Sequence, residues 1–375
     1  MSRFWNRKIN EIVPYVAGEQ PRRGTKVIKL NTNENPFPPS PKVAESIAQF
    51  DIADLRLYPD TDATLVAEAI AAQEGVSPEQ IFVGNGSDEV LALCFQTFFE
   101  TRDNSVLPVL TPEFSYSFYP VFEEFYNIKA AKIPLHEEYR LDASDYVDVA
   151  NCGICIANPN APTSRAIALE DIALICRSNP DSVVIIDEAY AYFEEKYETA
   201  VSLLGQFPNL CVVRTLSKSY SLAGLRVGYA IASEELIEGL KRARDSFNSY
   251  PIDRLAQTAA AAAINDRKYH EICRVKIIEA REYTVRELTR LGFAMPESSA
   301  NFVFAKPPAI ISAETLYKNL RAKGILVRYF GTPGISDHLR IAIGTREEME
   351  QFISQVEKEV TDVQDCNSCK EDQRD

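Results

Sequence analysis

Short, continuously apolar runs recur along the first two thirds of the chain, and polar residues follow most of them. These runs cover residues 81–83, 105–110, 154–157, 183–186, 210–213 and 227–232, with helical patterns between them. Uninterrupted apolar strands that alternate with helices are typical of a parallel sheet buried on both faces. The pattern therefore predicts an α/β fold with a mostly parallel central sheet, and a ligand site is expected at the carboxyl ends of the strands.

The pattern changes after about residue 250. A long helix is predicted over 254–291, followed by strands at 301–305, 325–329 and 339–343 and by helices at 313–323 and 347–360. These shorter units predict a second, smaller α+β domain. The predicted divisions are an N-terminal arm and small-domain segment (1–40), a large domain (41–250), an interdomain helix with the small C-terminal domain (251–360) and a polar, disordered tail (361–375).

Composition and charge narrow the function classes. The chain has 375 residues, of which 46% are apolar and 25% charged. No run approaches the roughly 18 apolar residues that a transmembrane helix needs. Its 40 Lys and Arg against 54 Asp and Glu give a formal net charge of −14. Such an acidic chain is a poor binder of nucleic acid or anionic membranes, and an anionic substrate would need a locally basic pocket.

The cysteines and the N-terminal segment indicate a compartment. Eight cysteines are scattered without a disulfide framework, and residues 1–15 lack the apolar segment of a secretory signal. Both features predict a cytoplasmic protein. The pairs Cys152/Cys155 and Cys366/Cys369 have metal-site spacing, but the first lies in a predicted buried strand and the second in the tail. No metal site is predicted from either pair.

Candidate chemistry is concentrated in residues 214–226. Lys218 comes just after a predicted buried strand, Ser217 precedes it, and Arg226 follows eight residues later. The amine of such a lysine can form a Schiff base with an aldehyde cofactor, and the guanidinium can bind a phosphate in a bidentate manner. A single loop lysine is more often an ordinary surface residue, so this interpretation depends on the rest of the sequence.

Three other places support the same chemistry. Asp187 ends an apolar run, where a carboxylate needs a cationic partner such as a protonated pyridine nitrogen, and Tyr190 follows three residues later. The turn at 84–88 joins a strand to a helix, whose N-terminal N–H groups can bind phosphate. Phe114 can stack on a flat ring. Taken singly, Asp187 would more often be a helix cap, and Phe114 is as well explained as a core residue.

Together these residues carry a family resemblance. Their order along the chain is Gly86-Ser87-Asp88, Asn158-Pro159-Asn160, Asp187 with Tyr190, Ser217-Lys218 and Arg226, and the segments 29–37, 58–60, 222–226 and 339–345 support it. From about residue 15 to residue 360 the chain resembles the fold-type I aminotransferases that use pyridoxal 5′-phosphate. Within them it most closely resembles the histidinol-phosphate aminotransferases. The resemblance makes 41–250 the cofactor-binding domain.

The resemblance implies a role for each matching residue. Lys218 would hold the cofactor as a Schiff base and then move the substrate proton, Asp187 would keep the ring nitrogen protonated, and Tyr190 would bond the ring oxygen. These three form the implied catalytic set. The implied cofactor-binding set is Ser87, Asp88, Phe114, Asn160, Asp187, Tyr190, Ser217, Lys218, Arg226 and, from a neighbouring subunit, Tyr58. The contribution of Tyr58 implies a homodimer.

The resemblance also implies the substrates, which are small molecules. Arg340, assisted by Arg328, would bind the substrate phosphate or the glutamate carboxylate, with Asn33 and the partner subunit's Tyr15 on the substrate side. The implied reaction is a ping-pong transamination between L-histidinol phosphate and 2-oxoglutarate, in histidine biosynthesis. The arginine pair meets the demand for a basic pocket in an acidic chain.

Departures from the family pattern keep alternatives open. Ala161 stands where an asparagine commonly contacts the ring oxygen, so either Asn160 makes that contact or Tyr190 holds the oxygen alone. Ser164 replaces a glycine, which suggests a changed turn, and Phe114 replaces a frequent tyrosine. An aromatic amino-acid aminotransferase or a threonine-phosphate decarboxylase of the same fold is the alternative function. A regulatory protein without catalysis is a poor fit, since the chain lacks the length and basic charge of a DNA-binding segment.

Overall fold

The computed structural model describes residues 2–16, 18–22, 24–100, 106–196 and 198–371. Its strands are β1 (Ile28–Lys29), β2 (Ile81–Asn85), β3 (Val109–Pro112), β4 (Ala130–Ile133), β5 (Gly153–Ala157), β6 (Val183–Asp187), β7 (Leu210–Thr215), β8 (Val227–Ala232), β9 (Phe302–Ala305), β10 (Ile325–Leu326), β11 (Arg328–Tyr329) and β12 (Leu339–Ala342). Its α-helices are α1 (Arg7–Glu11), α2 (Pro41–Ala48), α3 (Thr64–Glu74), α4 (Gly86–Phe98), α5 (Tyr119–Phe125), α6 (Leu169–Ser178), α7 (Glu234–Asp245), α8 (Arg254–Asn265), α9 (Arg267–Arg290), α10 (Ala313–Ala322) and α11 (Arg346–Glu371). Short 3-10 helices cover Ile52–Arg56, Pro78–Gln80, Glu137–Tyr139, Ala143–Tyr146, Ala200–Leu203 and Ala223–Leu225.

A seven-stranded sheet forms the centre of the large domain, in the order β2-β8-β7-β6-β5-β3-β4. Strands β3 to β7 run parallel to their neighbours within this group, and β8 runs antiparallel to both β7 and β2. The prediction of an α/β fold with a mostly parallel sheet is confirmed. The apolar run at 105–110 forms a strand only from Val109 onward, and residue 105 lies outside the described residues.

Both faces of the sheet are apolar because helices cover both. In β5, Ile154 and Ile156 pack into the core beneath α2, α3, α6 and α8, whereas Cys155 points into the core beneath α4, α5 and α7. Side chains alternate between the faces of a strand, so a strand covered on both sides needs apolar residues at every position. This requirement explains the uninterrupted apolar runs of the sequence.

The smaller domain has its own core. A three-stranded antiparallel sheet, in the order β11-β12-β9, packs with α9, α10 and α11. Strand β1 pairs in parallel with β10, and Leu30, directly after β1, is buried in this core. Residues 28–30 therefore pack with the C-terminal part of the chain, although α2 and α3 follow them and cover the large sheet.

Two predicted elements differ from those observed. The predicted helix over 254–291 is two helices, because the Asp266 carboxylate accepts the N–H of Tyr269 and caps the start of α9. The predicted strand over 325–329 is divided into two short strands, since β10 pairs with β1 while β11 pairs with β12. Hydrophobic periodicity continues across both breaks and therefore does not reveal them.

The prediction of a disordered tail from residue 361 is wrong for the described part of that segment. Helix α11 continues to Glu371. Val360 is buried in the small-domain core and Val363 packs against it, so apolar residues recur at helical spacing beyond the predicted end of the helix. Residues 372–375 lie outside the described residues.

A buried ion cluster ties the end of β7 to the rest of the large domain. The guanidinium of Arg214 bonds Glu188 at 2.8 Å and Glu74 at 2.8 Å, and all three side chains are at least nine-tenths buried. The Tyr192 hydroxyl accepts a further bond from Arg214 at 2.5 Å. Because Glu188 follows Asp187 and Arg214 lies four residues before Lys218, this cluster fixes the two strand ends that carry the candidate chemistry.

We expect Arg214→Met to lower the free energy of unfolding by about 3–5 kcal/mol, because it leaves two buried carboxylates without their cation. Arg242→Met is the matched control, since Arg242 pairs with Glu238 on an exposed helix face and such pairs contribute only about 0.3–0.5 kcal/mol. Urea denaturation followed by circular dichroism measures both. Equal, small losses in the two variants would contradict the role assigned to the buried cluster.

Candidate active site

A cavity of about 320 Å³ opens at the carboxyl ends of the parallel strands, between the large sheet and the small domain. Most of the residues singled out in the sequence line it. They are Tyr15, Ser87, Asp88, Phe114, Asp187, Tyr190, Ser217, Lys218, Arg226, Arg328 and Arg340. The position of the cavity agrees with the rule that ligands of open α/β sheets bind beyond the carboxyl ends of the strands.

The Asp187 carboxylate forms the floor of the cavity at the end of β6. It is 3% exposed, and its Oδ2 accepts the Tyr119 hydroxyl at 2.9 Å while its Oδ1 accepts the Ala189 N–H at 3.1 Å. Burial raises the pKa of Asp187 to about 6, and the bond from Tyr119 opposes that rise. A buried carboxylate of this kind is suited to pair with a cationic group of a ligand.

Lys218 enters the cavity from the loop after β7. Its Nζ donates to the main-chain oxygen of Thr32 at 3.1 Å and lies 5.7 Å from the centre of the Tyr190 ring. The Tyr190 hydroxyl accepts a bond from Asn33 Nδ2 at 3.1 Å. Asn33 is completely buried behind Tyr190, so it acts on the cavity through that hydroxyl.

The N-terminus of α4 has the features of an anion site. The helix begins at Gly86, directly after β2, and its first-turn N–H groups have no acceptor within the helix. Arg226 lies beside it, with Nη2 at 3.0 Å from Asp88 Oδ2. A Cβ at Gly228 would lie 2.3 Å from the main-chain atoms of Gly86 and Ser87, so only glycine lets β8 approach this closely.

The opposite end of the cavity is basic. Arg340 of β12 pairs across the small sheet with Arg328 of β11, and Arg340 is mostly buried where it lines the cavity. The Arg340 Nη2 donates to the main-chain oxygen of Asn31 at 2.9 Å, and its Nε has no partner among the described residues. Burial and the charge of Arg328 both lower the pKa of Arg340. An anionic ligand would relieve both effects.

Asn160 does not face the cavity in the way the sequence predicts. Its Nδ2 donates to the Phe114 main-chain oxygen and to Thr163 Oγ1, each at 2.8 Å, and its Oδ1 accepts from Ser115 at 2.8 Å. The amide is thus engaged by Thr163 and by the loop after β3, and Ala161 lines the cavity instead. Of the two alternatives left by the sequence, this arrangement favours Tyr190 as the sole hydrogen-bonding side chain for a ring oxygen.

The two tyrosines assigned to a neighbouring subunit occupy different positions. Tyr58 is 78% exposed and stacks on Tyr250 with ring centres 4.7 Å apart, outside the cavity. Tyr15 lines the cavity of its own chain, because its ring packs on Phe118 at 4.5 Å. The assignment of Tyr15 to the partner subunit's substrate site stays a prediction, and within its own chain Tyr15 lies at the cavity.

Several residues of the site escape sequence reasoning. Tyr119 reaches Asp187 from α5, Tyr116 donates to Asp88 at 2.6 Å, and Phe330 lines the substrate end. None of them has a diagnostic spacing from a motif. Thr32 could have been found from the sequence, since it lies in the Asn-rich segment 29–37 that supports the family resemblance.

Comparison with known proteins agrees with this geometry. The sequence model of the family "Aminotransferase class I and II" matches residues 25–356. The chain belongs to this family. The fold and family expected from the sequence are thereby confirmed.

Two curated proteins that are similar to this chain are both named histidinol-phosphate aminotransferase. The histidinol-phosphate aminotransferase of Chromohalobacter salexigens is 48% identical over 357 residues, which cover 95% of this chain and 99% of that protein. The histidinol-phosphate aminotransferase of Acinetobacter baylyi is 49% identical over 355 residues, covering 94% and 96% respectively. Both alignments span nearly the whole of this aminotransferase.

Among solved structures, the histidinol-phosphate aminotransferase of Sinorhizobium meliloti in complex with pyridoxal-5′-phosphate has a TM-score of 0.86. It is 23% identical, and the match covers 97% of this chain and 99% of that one. At this identity the likeness establishes the shared fold. No helix in the described part of this aminotransferase is long and apolar enough to span a membrane.

Potential metal ligands are dispersed over the described part of the chain. Over residues 2–16, 18–22, 24–100, 106–196 and 198–363, His, Cys, Asp and Glu form no group of three or more that could hold a metal ion. The Cys155 side chain is buried in the sheet. The side chains of Cys366 and Cys369 lie outside the described part of the chain.

We expect Gly228→Ala to weaken the binding of inorganic phosphate about tenfold, because the added Cβ must displace the N-terminus of α4 and a hydrogen bond to a charged group is lost. Titration calorimetry measures the affinity. Gly205→Ala is the control, since a Cβ there meets no atom within 4 Å. Wild-type phosphate affinity in Gly228→Ala would show that this helix end does not hold the anion.

Proposed function

We propose that this aminotransferase uses pyridoxal 5′-phosphate to exchange an amino group between L-histidinol phosphate and 2-oxoglutarate, a step of histidine biosynthesis. The observation that carries the proposal is the convergence of three groups on one cavity: the Lys218 amine, the buried Asp187 carboxylate and the anion site at α4. The names of the relatives that are 48% and 49% identical support the substrate.

The residues present fit the cofactor. Asp187 makes no ion pair with a cationic side chain of the described residues, so a protonated ring nitrogen would supply the missing charge. The cofactor phosphate would lie at the N-terminus of α4 with Ser87, Ser217 and Arg226. When bound, the cofactor supplies an aldehyde carbon and an electron-accepting ring.

The catalytic side chains have separate tasks in this proposal. The Lys218 Nζ would hold the cofactor through its aldehyde carbon and, as a free amine, would move the proton at the substrate Cα. The ionised Asp187 carboxylate would accept a hydrogen bond from the protonated ring nitrogen and so keep the proton there. The Tyr190 hydroxyl, fixed by Asn33, donates to the ring oxygen.

The arginine pair gives the proposal its substrate preference. Arg340 has an unpartnered Nε among the described residues, and Arg328 lies opposite it in the sheet register. Two adjacent guanidinium groups favour a phosphate or a carboxylate through charge-assisted hydrogen bonds. The same pair can therefore receive the phosphate of histidinol phosphate and the distal carboxylate of 2-oxoglutarate in alternate half-reactions, which a ping-pong cycle requires.

We further propose that the enzyme works as a cytoplasmic homodimer in which Tyr58 reaches the cofactor phosphate of the partner subunit. Tyr58 is exposed next to exposed Leu57 and Leu55, and it stacks on Tyr250. Exposed apolar side chains concentrated around one polar hydroxyl are typical of an interface. The cysteines with described side chains are free thiols, which fits a reducing compartment.

A spectroscopic experiment tests the reaction. On the protein loaded with pyridoxal phosphate, L-histidinol phosphate without a keto acid should abolish the absorbance band of the lysine-bound cofactor, and 2-oxoglutarate should restore it. Lys218→Ala should lack the band and lose at least about 10²-fold in turnover, whereas Lys318→Ala, on an exposed helix face, should behave as wild type.

Rates with phenylalanine and threonine phosphate, measured beside histidinol phosphate, separate the alternatives. A band that histidinol phosphate leaves unchanged, but that phenylalanine or threonine phosphate converts, would contradict the proposed substrate. A Lys218→Ala variant with normal turnover would contradict the proposed chemistry as a whole.

We expect Arg340→Gln to raise KM for both histidinol phosphate and glutamate by about 10–100-fold, because each substrate would lose charge-assisted hydrogen bonds that contribute roughly 1.5–3 kcal/mol. Arg340→Lys should recover only part of this loss, since an ammonium lacks the bidentate geometry. Steady-state kinetics with both substrates measure the effect, with Arg242→Gln as a surface control. A rise confined to one substrate would show that the two anions bind at different places.

A further inference from the structure

Behind the cavity floor, Tyr119 contacts the Asp187 carboxylate from the side away from the ligand space. It is the first residue of α5 and is 1% exposed. Its hydroxyl donates to Asp187 Oδ2 at 2.9 Å, and the Ala189 N–H bonds Oδ1 at 3.1 Å. Each carboxylate oxygen thus has one fixed donor from the protein, which fixes the plane of the carboxylate.

The ring of Tyr119 is held by its packing. It stacks on Phe95 with ring centres 6.1 Å apart and meets the edge of Tyr116 at 5.7 Å. Phe95 belongs to α4, which also carries the anion site. The hydroxyl is therefore positioned by the aromatic core and does not depend on the bond to Asp187 for its place.

Among the buried groups Asp187, Tyr119 and Cys155, Asp187 ionises most readily. Burial, together with the neighbouring Asp187 charge, raises the pKa of Tyr119 well above its usual value. The same two causes raise the pKa of the Cys155 thiol, which bonds Tyr119 from β5. Tyr119 is consequently a neutral donor, and the negative charge of the cluster resides on Asp187.

Three influences oppose the ionisation of Asp187, and two hydrogen bonds favour it. Burial raises its pKa, and the nearby carboxylates of Asp88 and Glu188 add to the rise, whereas the bonds from Tyr119 and Ala189 lower it. Only the Tyr119 bond comes from a side chain. Without it, a proton shared between Asp187 and a ring nitrogen would move toward the carboxylate, because a less solvated anion is a stronger base.

We propose that Tyr119 is a positioning residue that keeps the Asp187 carboxylate ionised and oriented, so that the proton stays on the ring nitrogen of the cofactor. This inference rests on the proposed function. It predicts that removal of a single hydroxyl, two contacts away from the substrate, changes the electronic state of the cofactor. The substrate end of the cavity, around Arg340, stays as it is.

The test uses Tyr119→Phe with pyridoxal phosphate labelled with ¹⁵N in the ring. The ring nitrogen signal should move toward the neutral pyridine position, and cofactor affinity should fall about tenfold, as expected when a hydrogen bond to a charged group is lost. The turnover number should fall while KM for histidinol phosphate changes less than twofold. Tyr146→Phe is the matched control, since Tyr146 is equally buried and its hydroxyl has no partner among the described residues.

A double-mutant cycle separates this role from a general packing effect. In an Asp187→Asn background, Tyr119→Phe should cause little further loss of cofactor affinity, because the charge that the hydroxyl stabilises is gone. Equal losses in both backgrounds, or an unmoved nitrogen signal in Tyr119→Phe, would overturn the inference and leave the proposed function standing. Failure of the wild-type protein to bind the cofactor would overturn both.

Discussion

The buried carboxylate at the end of β6 is the constraint on which the rest of the site depends. Removing a carboxylate from water is costly unless hydrogen bonds and a cation compensate. The protein provides two donors to Asp187, from Tyr119 and Ala189, and its pKa remains near 6. The compensation is therefore incomplete within the protein, and a cationic ring bound in the cavity completes it. The arrangement makes the floor selective for a ligand that carries positive charge at one defined atom.

The walls of the cavity are positively charged, in contrast to the carboxylate at its floor. The chain has a net charge of −14, yet Arg226, Arg328 and Arg340 all line this one cavity. The Arg226 guanidinium pairs with the Asp88 carboxylate at 3.0 Å, whereas Arg340 contacts a main-chain oxygen and the faces of two aromatic rings. A guanidinium held by carbonyl and π contacts keeps most of its charge for a ligand. This end of the cavity is thus better suited to an anion than the overall charge of the protein suggests.

The sequence was sufficient for those parts of the site that depend on local order. Lys218, Asp187 and the turn before α4 follow buried strands, and parallel strands bring their carboxyl ends to one edge of the sheet, so their proximity could be predicted. The contact of Tyr119 with Asp187 could not be predicted, because Tyr119 belongs to α5 and lies 68 residues away from Asp187 in the chain. The division of the long helix at Asp266 could not be predicted either. A carboxylate that caps the start of a new helix leaves the apolar stripe uninterrupted.

Side-chain orientation was the other limit of sequence reasoning. The Asn160 amide is satisfied by Thr163 and by Phe114 and Ser115 of the segment after β3, and Ala161 takes its place on the cavity wall. Ser164, at the position of a family glycine, keeps a left-handed backbone with φ of 66°. Glycine adopts this left-handed conformation without strain, which explains a glycine at this position in the family. Ser164 adopts the same conformation, so the serine does not by itself require a changed turn.

The segment at 31–35 couples the two ends of the cavity. The main-chain oxygen of Asn31 receives Arg340, and that of Thr32 receives the amine of Lys218. Asn33 holds the Tyr190 hydroxyl, and Asn35 donates to the main-chain oxygen of Lys218 at 3.0 Å. This short segment therefore contacts the Lys218 amine, the Tyr190 hydroxyl and the Arg340 guanidinium. A shift in this segment would therefore alter the surroundings of all three groups together, because two main-chain oxygens and two asparagine side chains of residues 31–35 make these contacts.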